Sequence, residues 1–212
     1  LANNIDGDDN TATGSSALAY NTTGNWNTAT GNEALYNNID GYDNTATGRE
    51  ALFSNTTGWN NTAIGSFALR DNESGIENTA TGHGALFSNT TGNNNTANGM
   101  YALNISTGNG NIGLGFRSGD NLAAGDNNIF IGYDINAPIG AGSNQLSIGN
   151  LIYGTGVDGT GTTASSGNVG IGINAPTEKL HVQGGIRITD LEGTITGSRL
   201  VQADNTGVLS PI

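Results

Sequence analysis

The sequence predicts an all-β protein built as a parallel β-solenoid, a β-roll in which each coil is about seventeen residues long. The main observation is a repeat. The segment Asn-Thr-Ala-Thr-Gly, or a close variant, occurs in six evenly spaced copies, which begin at Asn10, Asn27, Asn44, Asn61, Asn78 and Asn95. Such a short fixed period is typical of arrays whose units bury their apolar side by stacking. Only 34% of the residues are hydrophobic and 35 are Gly, which does not suit a globular core.

Two further markers share this period. A turn that starts with Asn and ends with Gly recurs from Asn4 onwards, and an Ala-Leu pair recurs from Ala17-Leu18 onwards. Each unit therefore has two short segments with β-compatible spacing and two turns, in which Asn and Gly tolerate the left-handed backbone. One period is too short for two helices and their connections. We expect two short strands and two tight corners in every coil.

The array continues beyond residue 110 with a different composition. Further copies start at Asn111, Asn128, Gln145 and Asn168, and all ten copies end in Gly. The step to Asn111 is one residue shorter than the period, and the step to Asn168 is six residues longer. This longest step contains a stretch rich in Gly, Thr and Ser, which predicts a loop inserted into one coil at about residues 151–167. We therefore assign the β-roll repeat domain to residues 1–172.

After residue 172 the period is lost. Residues 174–176, Asn-Ala-Pro, predict a turn, because Pro fixes φ and keeps its predecessor out of the helical region. Apolar residues at 180–182 and 186–188 predict short strands around two Gly residues. The sequence thus indicates a small C-terminal, β-rich neck or connector at residues 173–212.

Stacking the coils turns each position of the repeat into a column. Alternate residues of a strand share a face, so Thr11 and Thr13 point one way and Ala12 the other. The two Thr columns contain Ile, Leu or Val in the later copies, which favours an inward orientation. With the Leu of every Ala-Leu pair, these columns form the predicted core. Its residues are Thr11, Thr13, Leu18, Leu35, Leu52, Leu69, Leu86, Leu103, Ile129 and Ile131.

This core is thin. Burial of one Leu contributes about 1.5–3 kcal/mol, whereas ordering each residue costs about 1–2 kcal/mol in backbone entropy. We therefore expect a coil to gain further burial from neighbouring chains. The small residues of the columns through Ala12 and Ala17 allow two interpretations: close packing between subunits, or a narrow coil without room. Aromatic residues that follow the Leu column, Tyr36, Phe53 and Phe87, are expected to pack between chains.

The ten motifs, in particular those at residues 111–115 and 145–149, resemble the short repeats in YadA-like heads of trimeric autotransporter adhesins. The resemblance covers about residues 1–172 and implies a left-handed parallel β-roll in a homotrimer. The chain departs from the family in its longer coils and in its Thr residues at positions where the family has aliphatic ones. Residues 167–184 are similar to a segment of phage-tail-fibre-like proteins.

The resemblance implies a structural or adhesive extracellular fibre protein, the trimeric head or shaft that attaches to a cell, a glycan or a matrix. Its partners would be further copies of itself and a surface glycan or protein receptor. It would lie at the cell surface or on a virion or tail-like particle. A receptor-binding tail fibre of a phage or phage-tail-like particle and a structural filament subunit are the alternatives.

Ice binding is a more distant alternative. Some ice-binding solenoids present regular hydroxyls on flat Thr-x-Thr ladders, and four of the six early copies keep both Thr residues. Ile64 and Asn98 interrupt the ladder, and the later copies replace it with aliphatic residues. A surface that faces ice would not be expected to change in this way.

The candidate contact residues are aromatic. One turn column places Tyr42, Trp59 and Ile76 one above another, and Trp26 belongs to the adjacent column. Aromatic side chains on a polar surface can stack on sugars or anchor a protein partner. The alternative, which we favour, is that these residues cover a corner of the roll or a seam between subunits.

Several function classes have no support in the sequence. His83 and His181 stand in unrelated contexts, and no Ser-His-Asp set or metal-spaced cluster can be assembled, so we expect no enzyme activity, no metal and no cofactor. A net charge of −12 with six Lys and Arg residues argues against nucleic acid. The chain has no Cys, and no apolar run approaches the roughly 18 residues that membrane insertion requires.

Overall fold

The computed structural model describes residues 3–186, together with the backbone of two strands at residues 201–203 and 209–211. This part of the chain is all-β and forms a parallel solenoid, as predicted. Strands of successive coils pair in register, so Thr11 lies beside Thr28 and Ala12 beside Ala29. Each coil of the regular array therefore takes up one period of the sequence.

The sheet contains twelve three-residue strands along the axis, and in the regular array each coil contributes one of them. Its strands are β1 (Thr11–Thr13), β2 (Thr28–Thr30), β3 (Thr45–Thr47), β4 (Thr62–Ile64), β5 (Thr79–Thr81), β6 (Thr96–Asn98), β7 (Ile112–Leu114), β8 (Ile129–Ile131), β9 (Leu146–Ile148), β10 (Ile152–Gly154), β11 (Val169–Ile171) and β12 (Leu180–Val182). Two further strands, β13 (Val201–Ala203) and β14 (Leu209–Pro211), pair with each other in an antiparallel arrangement.

The prediction of a second strand in each coil is wrong. The Ala-Leu segment runs through turns, with Ser16 at φ 57° and Leu18 at φ 50°, and the Leu of all six early copies has a positive φ. A residue in this left-handed region cannot continue a strand. The segment still bonds from coil to coil, because the Leu18 N–H donates to the Ala34 carbonyl (3.0 Å).

The interior of the coil contains Ala and Leu. The Leu residues of the Ala-Leu pairs, from Leu18 to Leu103, are completely buried, as are the central Ala residues of β2 to β6. Thr11 and Thr13 instead lie on the outer side of β1 and are exposed. Ile129 and Ile131 continue the same two columns on β8 and are half-buried on that outer side. The prediction that these four residues point into the core is wrong.

The physical reason is the width of the coil. In a three-residue strand only the middle side chain points inward, and the narrow interior has room there for Ala beside the Leu of the next segment. The columns through Ala12 and Ala17 therefore reflect a narrow coil rather than contacts between subunits. Phe130 is completely buried in the same column. Its ring has room because Gly119 lacks a side chain. A Cβ at Gly119 would lie 2.5 Å from Phe130 Cδ2.

Two columns of buried Asn hold the corners together. In the first, which begins the repeated motif, Asn61 Nδ2 donates to the Gly75 carbonyl (2.8 Å) and its backbone N–H donates to Asn44 Oδ1 (3.0 Å). In the second, Asn38 Nδ2 donates to Asn21 Oδ1 (2.6 Å). Buried amides require such partners. These ladders were not predicted, because Asn was assigned to the turns, although its fixed place in every copy was the available signal.

One strand of the long sheet runs in the opposite direction. At the predicted insertion, β10 runs back between β9 and β11 and is antiparallel to both. The sheet then continues past residue 172, since β12, at the predicted position, pairs in parallel with β11. Most of the strand predicted at residues 186–188 lies outside the described residues. Within the described residues, no helix is both long and apolar enough to span a membrane.

Candidate binding surfaces

The outer sides of β1 to β11 form one long surface, here called the strand face. Its two columns start at Thr11 and Thr13 on β1 and end at Val169 and Ile171 on β11. Neighbouring strands of a sheet are about 4.8 Å apart, and alternate residues along a strand about 6.6 Å. The strand face therefore presents a regular grid of side chains in these two columns.

The strand face has a polar half and an aliphatic half. Over β1 to β6 the column that starts at Thr11 is Thr throughout, and the column that starts at Thr13 is Thr except for Ile64 and Asn98. From β7 onwards both columns are aliphatic except at Gly154 of β10, and their side chains are half-buried or exposed: Ile112, Leu114, Ile129, Ile131, Leu146, Ile148, Ile152, Val169 and Ile171. In a single chain, this second half leaves a contiguous apolar stripe in contact with water.

The predicted column of turn residues, here called the turn column, comes just before the strands. Tyr42 and Trp59 stack with ring centroids 5.5 Å apart and an interplanar angle of 4°. Ile76 follows on the next coil and is half-buried. Trp26 is 57% exposed, and its Nε1 donates to Asp9 Oδ2 (3.2 Å). Stacking covers one face of each of these two rings, and the contact role of the turn residues stays a prediction.

The aromatic residues that follow the Leu column contact one another within the chain. The rings of Tyr36 and Phe53 stack with centroids 5.1 Å apart. The Arg70 guanidinium lies over Phe53 (5.3 Å) and Phe87 (5.5 Å). Its Nε donates to Glu50 Oε2 (2.9 Å), and this hydrogen bond is the main reason that the pKa of Arg70 is raised. The column thus has partners in its own coils, and its expected contacts between chains stay a prediction.

A cleft opens where this column ends. It has a volume of about 450 Å³ and is called the junction cleft, because it lies next to the shortened step of the repeat. Its lining residues are Tyr101, Asn104, Phe116, Arg117 and Asp120. The cleft was not predicted from the sequence, because none of these residues belongs to a repeated polar motif.

An ion pair fixes one wall of the junction cleft. Arg117 Nε donates to Asp120 Oδ2 (2.7 Å), and Arg117 Nη1 lies 3.6 Å from Asp134 Oδ1. The hydrogen bond to Asp120 raises the pKa of Arg117. The Asp120 side chain is only 15% exposed, so its position is well defined by the surrounding coil. One cation thus faces two carboxylates, and the wall has no excess positive charge.

The inserted loop after β10 is closed by polar contacts. Ser166 donates to Asp158 from its hydroxyl (2.6 Å) and its backbone N–H (2.7 Å), and these bonds hold the pKa of Asp158 below the usual value of 3.8. Lys179 Nζ donates to the carbonyls of Ser166 and Gly167. The loop is an ordered part of the surface, and its contacts are explained by loop closure.

The two His residues do not form a catalytic set. His83 packs edge-on between the rings of Phe67 and Tyr101. His181 lies on β12, where Nδ1 is 3.4 Å from the backbone nitrogen of Thr177. Over residues 3–186, no group of three or more His, Asp or Glu side chains is close enough to hold a metal ion.

No family model, curated protein or solved structure matches the chain. The features that bear on its function are therefore the strand face, the turn column and the junction cleft.

Proposed function

We propose that the chain is the head or shaft of a structural, adhesive extracellular fibre, in which three copies pack through their strand faces. The observation that carries this proposal is the aliphatic half of the strand face. Apolar patches of this extent on soluble proteins commonly mark interaction sites. The stripe runs along the solenoid axis, in register with the coils, so a parallel second and third copy would present the same columns at the same heights.

Three-fold cyclic symmetry allows the stripe to bury itself in a closed ring. In a ring of three parallel chains, one column of each stripe can pack against the other column of its neighbour, so no free edge remains. The Thr half would extend the same interface with methyl and hydroxyl contacts. This arrangement also supplies the burial that one Leu per coil does not.

Attachment would use the surfaces that the strand faces leave open. The turn column, just before the strands, and the junction cleft, just after β7, are formed by residues outside the strand face, and both contain aromatic residues. A surface glycan or a protein receptor is the expected partner, at the cell surface or on a virion or tail-like particle. The tail-fibre alternative is favoured by residues 167–184, which form β11, β12 and the turn between them. A filament subunit would use the same fold without a receptor.

The interface is tested by light scattering on the double variant Ile129→Asp, Ile131→Asp. The expected result is a trimer for the unaltered chain and a monomer with an unchanged β-type circular dichroism spectrum for the variant. The control is Ile39→Asp, Ile105→Asp, which alters two Ile residues of the turns, 47% and 42% exposed. A monomeric unaltered chain would overturn the proposal, and so would a variant that still forms the trimer.

Ice binding is the second candidate function, because most Thr side chains of the two columns prove to be exposed. In the first three coils the strand face presents Thr hydroxyls and methyl groups at regular positions. The two functions exclude each other, since a face buried in a trimer cannot also contact ice. A monomer with thermal hysteresis that disappears in Thr28→Tyr, but not in Thr23→Tyr, would support ice binding. No hysteresis in the unaltered chain would remove it.

A further inference from the structure

We propose that the junction cleft binds one uncharged pyranose residue of a surface glycan. The inference rests on the proposed adhesive function, for which it supplies the ligand class and the site. A volume of about 450 Å³ lies in the range of small-molecule sites, which runs from about 300 to 1,000 Å³. The assignment depends on why the cleft exists at this coil and on the groups that line it.

The cleft exists because a column of large side chains ends here. In three preceding coils the position is occupied by Phe53, Arg70 and Phe87, which contact one another and fill the groove. The next two members of the column are Asn104 and Asp120, whose shorter side chains leave the groove open.

The neighbouring column adds to the opening. Gly84 lies under Tyr101, and a Cβ at Gly84 would be 2.7 Å from the Tyr101 ring atoms Cδ1 and Cε1. The ring of Tyr101 can therefore lie over the preceding coil, in edge contact with His83. The second Asn ladder also ends at this coil. Ser106 takes the place of Asn, and the buried Asn89 Oδ1 has no hydrogen-bond partner within the described residues.

The lining combines ring surfaces with fixed hydrogen-bonding groups. Phe116 is half-buried and stacks on Tyr133 with centroids 5.0 Å apart. Asn104 uses Nδ2 to donate to the Gly84 carbonyl (3.1 Å), which leaves its Oδ1 as an acceptor. Asp120 Oδ2 is engaged by Arg117, and its Oδ1 can accept a second bond. A pyranose offers the matching chemistry, since its C–H face packs on a ring and its neighbouring hydroxyls both donate and accept.

Charge decides which sugars fit. Asp120 and Asp134 both face Arg117, so an acidic sugar would meet two carboxylates and one cation. The whole chain carries a net charge of −12, which adds to the repulsion. An uncharged hexose avoids this penalty and can still exchange hydrogen bonds with the ion pair. We therefore assign the site to neutral glycans and exclude sialylated ones.

The test uses saturation-transfer NMR on the full chain with the methyl glycosides of glucose, galactose and mannose, and with sialyllactose as the acidic probe. We expect at least one neutral glycoside to receive saturation from the protein and sialyllactose to receive none. The decisive variant is Asn104→Phe, which places in the cleft the residue that the same column has at Phe53 and Phe87. It should weaken the neutral glycoside at least tenfold, which is about 1.4 kcal/mol.

Asn32→Phe is the matched control, because it makes the same substitution at an exposed position outside the cleft and the turn column. Trp59→Ala tests the turn column instead, because it removes a ring there and leaves the cleft unchanged. The proposal is overturned if no neutral glycoside binds, if sialyllactose binds better, or if Asn104→Phe binds as well as the unaltered chain. Loss of binding in Trp59→Ala alone would move the site to the turn column. Light scattering on the same samples separates the two proposals: a trimer without glycoside binding removes only the cleft, and a monomer that binds removes only the trimer.

Discussion

Asn61 shows how single residues hold a solenoid together when apolar side chains are few. It is completely buried, and its amide donates to the Gly75 carbonyl (2.8 Å) and to Asn44 Oδ1 (3.1 Å). Its own Oδ1 accepts from the backbone N–H (3.0 Å) and the Nδ2 (3.1 Å) of Asn78. One side chain thus bridges three coils. A hydrocarbon of the same size would leave several buried polar groups unpaired.

Asn61→Asp is expected to destabilise the solenoid by roughly 3–5 kcal/mol, the cost typical of an uncompensated buried charge. The carboxylate is nearly isosteric with the amide, but it cannot donate to Gly75 and would lie near Asn44 Oδ1. Urea unfolding followed by circular dichroism measures the change. The control Asn32→Asp adds the same charge at an exposed position with one long bond, 3.4 Å to the Ser15 carbonyl, and should shift stability by less than about 0.5 kcal/mol. Equal effects would contradict a structural role of the ladder.

Single coils adapt locally to the side chain at the centre of the strand. Ala occupies this position in β2 to β6, Gly113 in β7 and Phe130 in β8. Phe130 is completely buried, beside the space left by Gly119. At Gly113 a Cβ would lie 2.8 Å from Leu103 Cγ, so the interior has no spare room there. A small central residue in one coil thus leaves space for a larger one in the next, and the coil of β8 contains the largest, Phe130.

Phe130→Ala is expected to cost roughly 3–5 kcal/mol, although Ala is the normal residue of this column. The surrounding coils are shaped for the ring, and a cavity would remain. Hydrogen exchange should show the loss of protection centred on β7 to β9. Tyr133→Ala, in the same coil, removes a ring that is 76% exposed and should cost less than about 1.5 kcal/mol. A similar loss in both variants would mean that Phe130 is not a packing centre.

The parts of this fold that the sequence predicts are those that depend on the period. The constant step gives the stacking, the register and the place of the leucines, because identical positions in stacked coils share one environment. The orientation of Thr11 was not predictable in this way: exchange of Thr for Ile shows only that a column has one environment, and both an interior and an outer apolar face meet that condition. The positive φ of Leu18 was also hidden, since Leu seldom adopts it.

The junction cleft could not be predicted for a different reason. It depends on what is missing from a column, namely the rings and Arg that precede Asn104, and on the space that Gly84 gives to Tyr101. A repeat is recognised by residues that recur, whereas the cleft exists because the large side chains of one column do not recur. The stacking of Tyr42 on Trp59, in contrast, followed from the period alone.

For the whole molecule, the strand face is the surface whose environment decides the function. If it is buried between chains, more aliphatic character in its Thr half should stabilise the assembly. If it faces water or ice, the same change only exposes more apolar surface. Substitution of Thr by Ile in this half therefore gives opposite outcomes for the two candidate functions.

Thr45→Ile, Thr47→Ile makes β3 resemble β8. For a trimer we expect a gain of about 1 kcal/mol per substitution and chain, from the additional buried hydrocarbon, and a melting temperature that rises with protein concentration. Scanning calorimetry at several concentrations measures both. The control Thr23→Ile, Thr57→Ile adds the same atoms at exposed positions off the strand face and should give no gain. A variant that is less stable or aggregates, with the control unchanged, would show that the strand face is in contact with water and that the subunits do not meet there.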